Sequence, residues 1–145
     1  MYRPQALNSP LSNISQGQGP YQLTLSHYCA QPEIETIQLA FLIAAPSIGN
    51  TNYELNFGNN DEDKFADIVA SIPVCQANGK QVLLSLGGER ESLNVNSVEQ
   101  GEYVADFLWK SFGPETSGWD IWPLGSVVFD GFDIDVERSG GRKFL

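Results

Sequence analysis

The sequence predicts an α/β protein built on a parallel sheet, and two observations support this fold class. Three short apolar runs begin near residues 37, 81 and 126, about 45 residues apart, and each has the length and composition of a buried strand. A segment with apolar residues at helical spacing lies between successive runs. Strands that alternate with helices form β–α–β units, whose strands are parallel and whose crossovers are right-handed. The predicted order is therefore β–α–β–α–β.

Each element has its own local signal. The helix predicted over residues 61–80 begins with an acidic turn, and Asn78–Gly79 marks its end. Residues 1–20, rich in Pro, Gly, Gln, Asn and Ser, predict an irregular amino-terminal segment, and residues 21–145 the folded domain. Residues 46–60 predict a polar loop. In order, the predicted elements are a short helix over 21–29, a strand over 36–45, a helix over 61–80, a strand over 81–86, a helix over 97–112 and a strand over 125–137.

Composition excludes several functional classes. The 145 residues contain 18 Asp+Glu and 8 Lys+Arg, so the net charge is 8 − 18 = −10. Such an acidic chain is a poor partner for nucleic acid or an anionic membrane surface. No apolar window approaches the ~18 residues of a membrane span, and no signal peptide is visible after Arg3. Cys29 and Cys75 lack metal-ligand spacing, and nothing in the sequence calls for a cofactor; composition leaves free thiols and a disulfide both open.

The third strand carries the most unusual chemistry of the chain. Its segment FDGFDIDVE contains four carboxylates. Because alternate side chains of a strand share a face, Asp133, Asp135 and Glu137 should form one row, with neighbours about 6.6 Å apart. Phe132, Ile134 and Val136 should pack on the opposite face, where Asp130 would need a hydrogen-bonding partner.

Three interpretations of this acidic row remain open. Crowded carboxylates can place a proton donor beside an anion, and Glu137 falls at the carboxyl end of the strand, where parallel α/β folds hold catalytic groups. The row could instead be a solvated acidic edge strand. It could also be a divalent-cation site of carboxylate oxygens.

Two motifs favour the catalytic interpretation through a family resemblance. Residues 130–137, D-G-F-D-I-D-V-E, resemble the D-x-x-D-x-D-x-E signature of glycoside hydrolase family 18, and residues 85–88, S-L-G-G, resemble its S-x-G-G motif. Roughly residues 22–137 are similar to the class III chitinases of plants and fungi. The resemblance implies strands 2–4 of a (β/α)8 TIM barrel with their intervening helices. It makes residues 21–145 part of the catalytic domain.

The resemblance also implies roles for individual residues. Glu137 matches the general acid of a substrate-assisted retaining mechanism, which hydrolyses β-1,4-linked N-acetylglucosamine polymers at internal bonds. Asp135 matches the residue that orients the substrate acetamido group, and Asp133 its buried partner. Ser85, Gly87 and Gly88 match the floor of the cleft, although tight packing is an equal alternative. Asp130, Cys29 and Cys75 match structural positions, and the two cysteines pair in many class III enzymes.

Aromatic residues and loops supply weaker candidates. Loops that follow strands lie on the catalytic face of such barrels. Tyr53 is therefore a candidate substrate contact, as are Phe57, Glu89 and Arg90. Trp119 and Trp122 could stack on sugars but are expected to anchor the loop before the third strand. Trp109 is expected in the core, and His27 at the surface or a helix cap.

The chain is shorter than a complete barrel, which needs ~250 residues. We therefore expect the isolated 145-residue chain to show little or no hydrolase activity. A non-catalytic chitin- or glycan-binding protein derived from the same fold is the alternative function. The expected partner is chitin or a chitooligosaccharide, and family membership implies an extracellular location.

Overall fold

Parallel strands separated by helices form the sheet of this protein. A computed structural model describes residues 23–57, 62–88, 95–114 and 118–135. The elements in chain order are α1 (Leu25–Cys29), β1 (Thr36–Ala44), β2 (Glu54–Leu55), α2 (Glu62–Ala77), β3 (Gln81–Gly87), α3 (Val98–Phe112) and β4 (Gly131–Asp135). The strand order across the sheet is β2–β1–β3–β4. The pairs β1–β3 and β3–β4 are parallel, so the predicted α/β class and parallel arrangement are confirmed.

Two predictions about the strands were wrong. The segment expected to be a polar loop contains β2, which pairs antiparallel with β1 through Leu42 and Leu55. Phe41 and Asn56 also exchange two backbone hydrogen bonds of 2.9 Å. The third long strand begins only at Gly131, because turns occupy residues 123–126. Apolar composition alone did not distinguish these turns from a strand.

One hydrophobic cluster joins the sheet to the helices. Alternate residues of β1 and β3, such as Ile37, Leu39, Val82 and Leu84, are almost completely buried. They belong to the same cluster as apolar residues of all three helices: Leu25, Cys29, Ile68, Ile72, Cys75, Val104, Phe107, Leu108 and Phe112. The helices therefore cover one face of the sheet, and side chains at the intervening strand positions lie on the other face.

The helix boundaries follow ordinary capping chemistry. Ser97 is the N-cap of α3, and its hydroxyl accepts a hydrogen bond of 3.1 Å from the backbone N–H of Gln100. Gly79, with φ +76°, follows the end of α2 in the left-handed conformation that glycine adopts most readily. Trp109 was expected in the core, but it is 56% exposed on α3, so that prediction was wrong.

A disulfide bond holds the short helix α1 against α2. It joins Cys29 to Cys75, whose Cα atoms are 4.8 Å apart, and both residues are completely buried. The pairing expected from the family resemblance is therefore present. Elsewhere on α1, His27 is exposed, as expected.

The helices of the described residues are too short or too polar to cross a bilayer.

Candidate functional site

The register of the parallel strands brings Ser85 and Gly87 of one motif beside Asp133 and Asp135 of the other, on one face of the sheet. Ser85 of β3 pairs with Asp133 of β4, and Gly87 pairs with Asp135. Because side chains alternate between faces, these four residues share the face opposite to Leu84 and Leu86. The face that the helices leave uncovered therefore carries the two aspartates and the serine–glycine motif side by side.

Ser85 is bound directly to one of the predicted carboxylates. Its hydroxyl donates a hydrogen bond of 2.7 Å to Oδ2 of Asp133. Ser85 is only 2% exposed, whereas Asp133 is half-buried. A distance of 2.7 Å is the usual length of an O–H···O hydrogen bond, so this contact is well formed. The resemblance implies that Ser85 lies at the floor of the cleft, and in this structure its hydroxyl binds Asp133.

Gly88, which directly follows β3, lies against the aromatic ring of Phe41. Its N–H donates a hydrogen bond of 2.9 Å to the carbonyl oxygen of Asp135, which extends the β3–β4 pairing by one residue. Gly88 has φ +83°, and a Cβ atom there would lie 3.0 Å from two ring carbons of Phe41. Glycine is therefore required twice, for the backbone conformation and for the close approach of the ring.

Phe41 is a site residue that the sequence analysis missed. The register of β1 against β3 shifts between Ala40 and Leu42, so Phe41 occupies an irregular position in the strand. The run TIQLAFLIAA is apolar throughout, and nothing in it marks such an irregularity. Only the pairing with β2 and β3 reveals that the Phe41 ring lies over Gly88.

Asp130 lies at the entrance of β4 and binds two neighbouring elements. Its Oδ2 accepts hydrogen bonds from the backbone N–H of Val82 at 2.8 Å and from Nε2 of Gln76 at 3.0 Å. Nε2 of Gln76 also donates to the carbonyl oxygen of Val128 at 2.8 Å. The hydrogen-bonding partner that Asp130 was expected to need is therefore present, in β3 and α2.

The loop aromatic residues occupy different environments. Tyr53 is 37% exposed, and its ring centroid lies 5.8 Å from that of Phe107 on α3. Phe57 is 1% exposed and stacks on Phe65 of α2, with 5.4 Å between ring centroids. Phe57 cannot face a sugar from this position, so its assignment as a candidate contact was wrong.

The apolar face of β4 is also less covered than expected. Phe132 is half-buried and packs against the core, but Ile134 is 70% exposed. The prediction that Ile134 packs under the helices was therefore wrong, because β4 is an edge strand of the sheet formed by the described residues.

Three predicted residues, Glu137, Glu89 and Arg90, lie outside the described residues, as does Val136. Within the described part of the chain, no three His, Cys, Asp or Glu residues are grouped so that they could hold a metal ion.

Comparison with known proteins identifies relatives of this sequence. No protein-family profile matches the chain. It is 37% identical to a probable endochitinase of Arthroderma benhamiae over 88% of its own length and 20% of the relative's. It is 37% identical to endochitinase A1 of Aspergillus fumigatus over 86% of its length and 17% of the relative's. The endochitinase of Saccharomyces cerevisiae is 38% identical over 81% of this chain and 21% of its own.

Two solved structures are similar to this chain in fold. The ICChI chitinase of Ipomoea carnea matches with a TM-score of 0.68 and 27% identity, over 84% of this chain and 44% of that one. The xylanase and α-amylase inhibitor protein XAIP-I, solved with trehalose, matches in fold with a TM-score of 0.69 and 23% identity, over 86% of this chain and 44% of that one. The chain thus spans about a fifth of the length of the curated relatives and under half that of the solved structures. The predicted resemblance to the chitinases of glycoside hydrolase family 18 is therefore confirmed, and this chain aligns with only a part of each of them.

Proposed function

We propose that this chain carries the acid–base half of a chitinase-type glycoside hydrolase that cleaves internal β-1,4 bonds of N-acetylglucosamine polymers. The observation that carries the proposal is the placement of Asp133 and Asp135 beside Ser85 and Gly87 on the face that the helices leave uncovered. Carboxylates near the carboxyl ends of parallel strands occupy the end of the sheet where barrel enzymes bind substrate. Endochitinase relatives at 37% identity support the same substrate class.

The proposed mechanism assigns one role to each carboxylate. Glu137 protonates the glycosidic oxygen while the substrate's own acetamido carbonyl oxygen attacks the anomeric carbon, which breaks the glycosidic bond and leaves an oxazolinium ion. Water, deprotonated by Glu137, then attacks the anomeric carbon and restores the acetamido group. Asp135 orients the acetamido group for this attack. Asp133 holds Asp135 in place and is itself positioned by the hydroxyl of Ser85. Gly87 and Gly88 form the floor beside the sugar, and Tyr53 is a further proposed contact.

We further propose that residues 21–145 correspond to strands 2–4 of a (β/α)8 barrel and that residues 1–20 form an irregular segment before them. The alignment of 84% of this chain with 44% of the Ipomoea carnea chitinase supports this assignment. An extracellular location is part of the proposal, because disulfides such as Cys29–Cys75 persist mainly in oxidising compartments.

A non-catalytic glycan-binding protein is the second candidate. The inhibitor protein XAIP-I, a fold neighbour crystallised with trehalose, indicates that this fold also occurs in proteins named for inhibition. The two candidates differ in one respect that can be measured, namely whether bound chitooligosaccharide is hydrolysed.

The test is hydrolysis of a fluorogenic chitotrioside by two samples, with circular dichroism to confirm that each is folded. The first sample is the purified chain, for which we expect little or no turnover. The second is the chain co-expressed with the part of the Ipomoea carnea chitinase to which it does not align. We expect turnover there, and Glu137→Gln should lower it by at least ~100-fold because general acid catalysis contributes 10²–10⁴-fold.

Glu102→Gln is the matched control, because Glu102 is exposed on α3 and the substitution is chemically the same. Turnover that survives Glu137→Gln would refute the role of that residue. A folded complex that binds chitotriose without turnover would favour the glycan-binding alternative. Absence of both binding and turnover in a folded complex would exclude both candidates.

A further inference from the structure

A cavity lies away from Asp133 and Asp135, in the segment between α3 and β4. It has a volume of about 500 Å³ and is lined by Trp122, Gly125, Ser126 and Val128. This volume falls within the ~300–1,000 Å³ typical of small-molecule sites. The cavity-lining residues precede the amino-terminal end of β4, whereas Asp135 is the last residue of that strand, so the cavity and Asp135 belong to opposite ends of β4.

The aromatic wall of this cavity is held rigidly. Nε1 of Trp122 donates a hydrogen bond of 2.8 Å to the carbonyl oxygen of Trp119. Trp119 is fixed in turn, because its Nε1 donates to the hydroxyl of Ser111 at 3.0 Å and Lys110 Nζ lies 5.3 Å from its ring centroid. Both tryptophans therefore anchor the loop, as the sequence predicted. The anchoring uses the indole N–H of Trp122, and this half-buried residue lines the cavity.

The rest of the cavity lining provides open space and, among the described residues, a hydroxyl group without a hydrogen-bonding partner. A Cβ atom added at Gly125, which has φ +63°, would meet no atom within 4 Å. Ser126 is exposed, and its hydroxyl has no hydrogen-bonding partner among the described residues. An aromatic wall beside an available hydroxyl matches a pyranose ring, whose C–H face is apolar and whose rim carries hydroxyl groups. A wall that is already ordered also lowers the entropic cost of binding.

We infer that this cavity is a second, non-catalytic binding site for a pyranose unit of a β-1,4-linked N-acetylglucosamine chain. The indole face of Trp122 stacks on the sugar, and the hydroxyl of Ser126 bonds to its rim. The sugar class rests on the proposed function. The site itself rests on the geometry of Trp122 and Ser126. It would hold a polymer at the end of the sheet opposite to the carboxylates.

The test follows the indole N–H signals of the three tryptophans by two-dimensional NMR during titration of the full chain with chitotriose. Assignment uses single Trp→Phe variants. We expect the Trp122 signal to shift in a saturable way and the signal of Trp109, which is exposed on α3, to stay unchanged. Asp135→Asn should leave the Trp122 shift intact, because that residue belongs to the other site.

Ser126→Tyr is the blocking variant, because it fills the cavity and leaves the Trp122–Trp119 hydrogen bond in place. It should weaken the response of Trp122 at least fivefold, whereas Trp109→Ala should leave it unchanged. A Trp122 signal that ignores chitotriose, or a shift that survives Ser126→Tyr, would overturn the second site. Perturbation of Ser85 and Asp133 in the same spectra reports separately on the proposed function, so the two proposals fail independently.

Discussion

Gly88 is the residue at which backbone conformation and packing meet beside the proposed site. It combines φ +83° with the ring of Phe41 at contact distance, and its N–H is bonded to Asp135. An alanine there would adopt a left-handed conformation, which costs about 1–2 kcal/mol, and would also push against the ring.

We predict that Gly88→Ala lowers the free energy of unfolding by about 2–4 kcal/mol, measured by urea denaturation. Gly79→Ala is the matched control, because Gly79 has φ +76° but nothing within 4 Å of an added Cβ. It should cost only the conformational part, about 1–2 kcal/mol. Phe41→Leu should recover part of the difference in the Gly88→Ala background. Equal losses for the two glycine variants would show that the ring contact contributes nothing.

Single residues also show where sequence patterns mislead. Trp109 and Ile134 are large apolar residues of the kind that usually lies in a core, but they are 56% and 70% exposed. Phe57 was placed in a substrate-facing loop but packs on Phe65. Burial of an apolar side chain stabilises the folded state, but it requires a neighbouring element that covers the side chain.

At the scale of elements, α1 depends on its connection to α2. A helix of five residues is far too short to be stable by itself, because helix nucleation is unfavourable. Leu25 and Cys29 bury its inner side, and the disulfide to Cys75 closes a sequence separation of 46 residues. In the chain-entropy description, a loop of this length corresponds to about 4 kcal/mol.

We predict that the double variant Cys29→Ala, Cys75→Ala loses about 2–4 kcal/mol of unfolding free energy. Amide hydrogen exchange over α1 should accelerate more than exchange over β1 and β3. A reducing agent should reproduce the effect in the unmodified chain and have none on the variant, which serves as the control. Unchanged protection of α1 in the variant would show that apolar packing alone holds the helix.

The other element-scale lesson concerns strands. The parallel pairing of β1, β3 and β4 was predictable, because alternation of strands and helices restricts the topology strongly. The short antiparallel β2 was not predictable, because two residues, Glu54 and Leu55, carry no periodicity. It forms because the edge of β1 offers backbone groups for pairing.

At the scale of the whole molecule, an exposed apolar side chain on an edge strand coexists with a large negative charge. Ile134 is 70% exposed on β4, which favours contact between copies. The net charge of −10 opposes such contact through repulsion between chains. Salt screens the repulsion, with a Debye length of ~30 Å at 0.01 M and ~10 Å at 0.1 M, and leaves the apolar attraction in place.

We predict that self-association of the chain, measured by sedimentation velocity, increases between ~0.01 M and ~0.5 M salt. Ile134→Lys should suppress this increase and leave the unfolding free energy within about 0.5 kcal/mol, as is usual for exposed positions. Val98→Lys is the control, because Val98 is also exposed but lies on α3. Association that falls with salt, or that Val98→Lys suppresses equally, would contradict a role for the β4 edge.

By itself, the sequence determined the order of the three helices and the three parallel strands, the two motifs, and the position of Asp133 and Asp135 within β4. These features are local, because side-chain periodicity, caps and turn residues act over a few neighbouring positions. Only the tertiary structure decided the Ser85–Asp133 hydrogen bond, the position of Phe41 over Gly88, and the cavity beside Trp122. Each of these depends on the register or packing of segments far apart in the chain, and a shift of one residue in register would move every side chain to the opposite face.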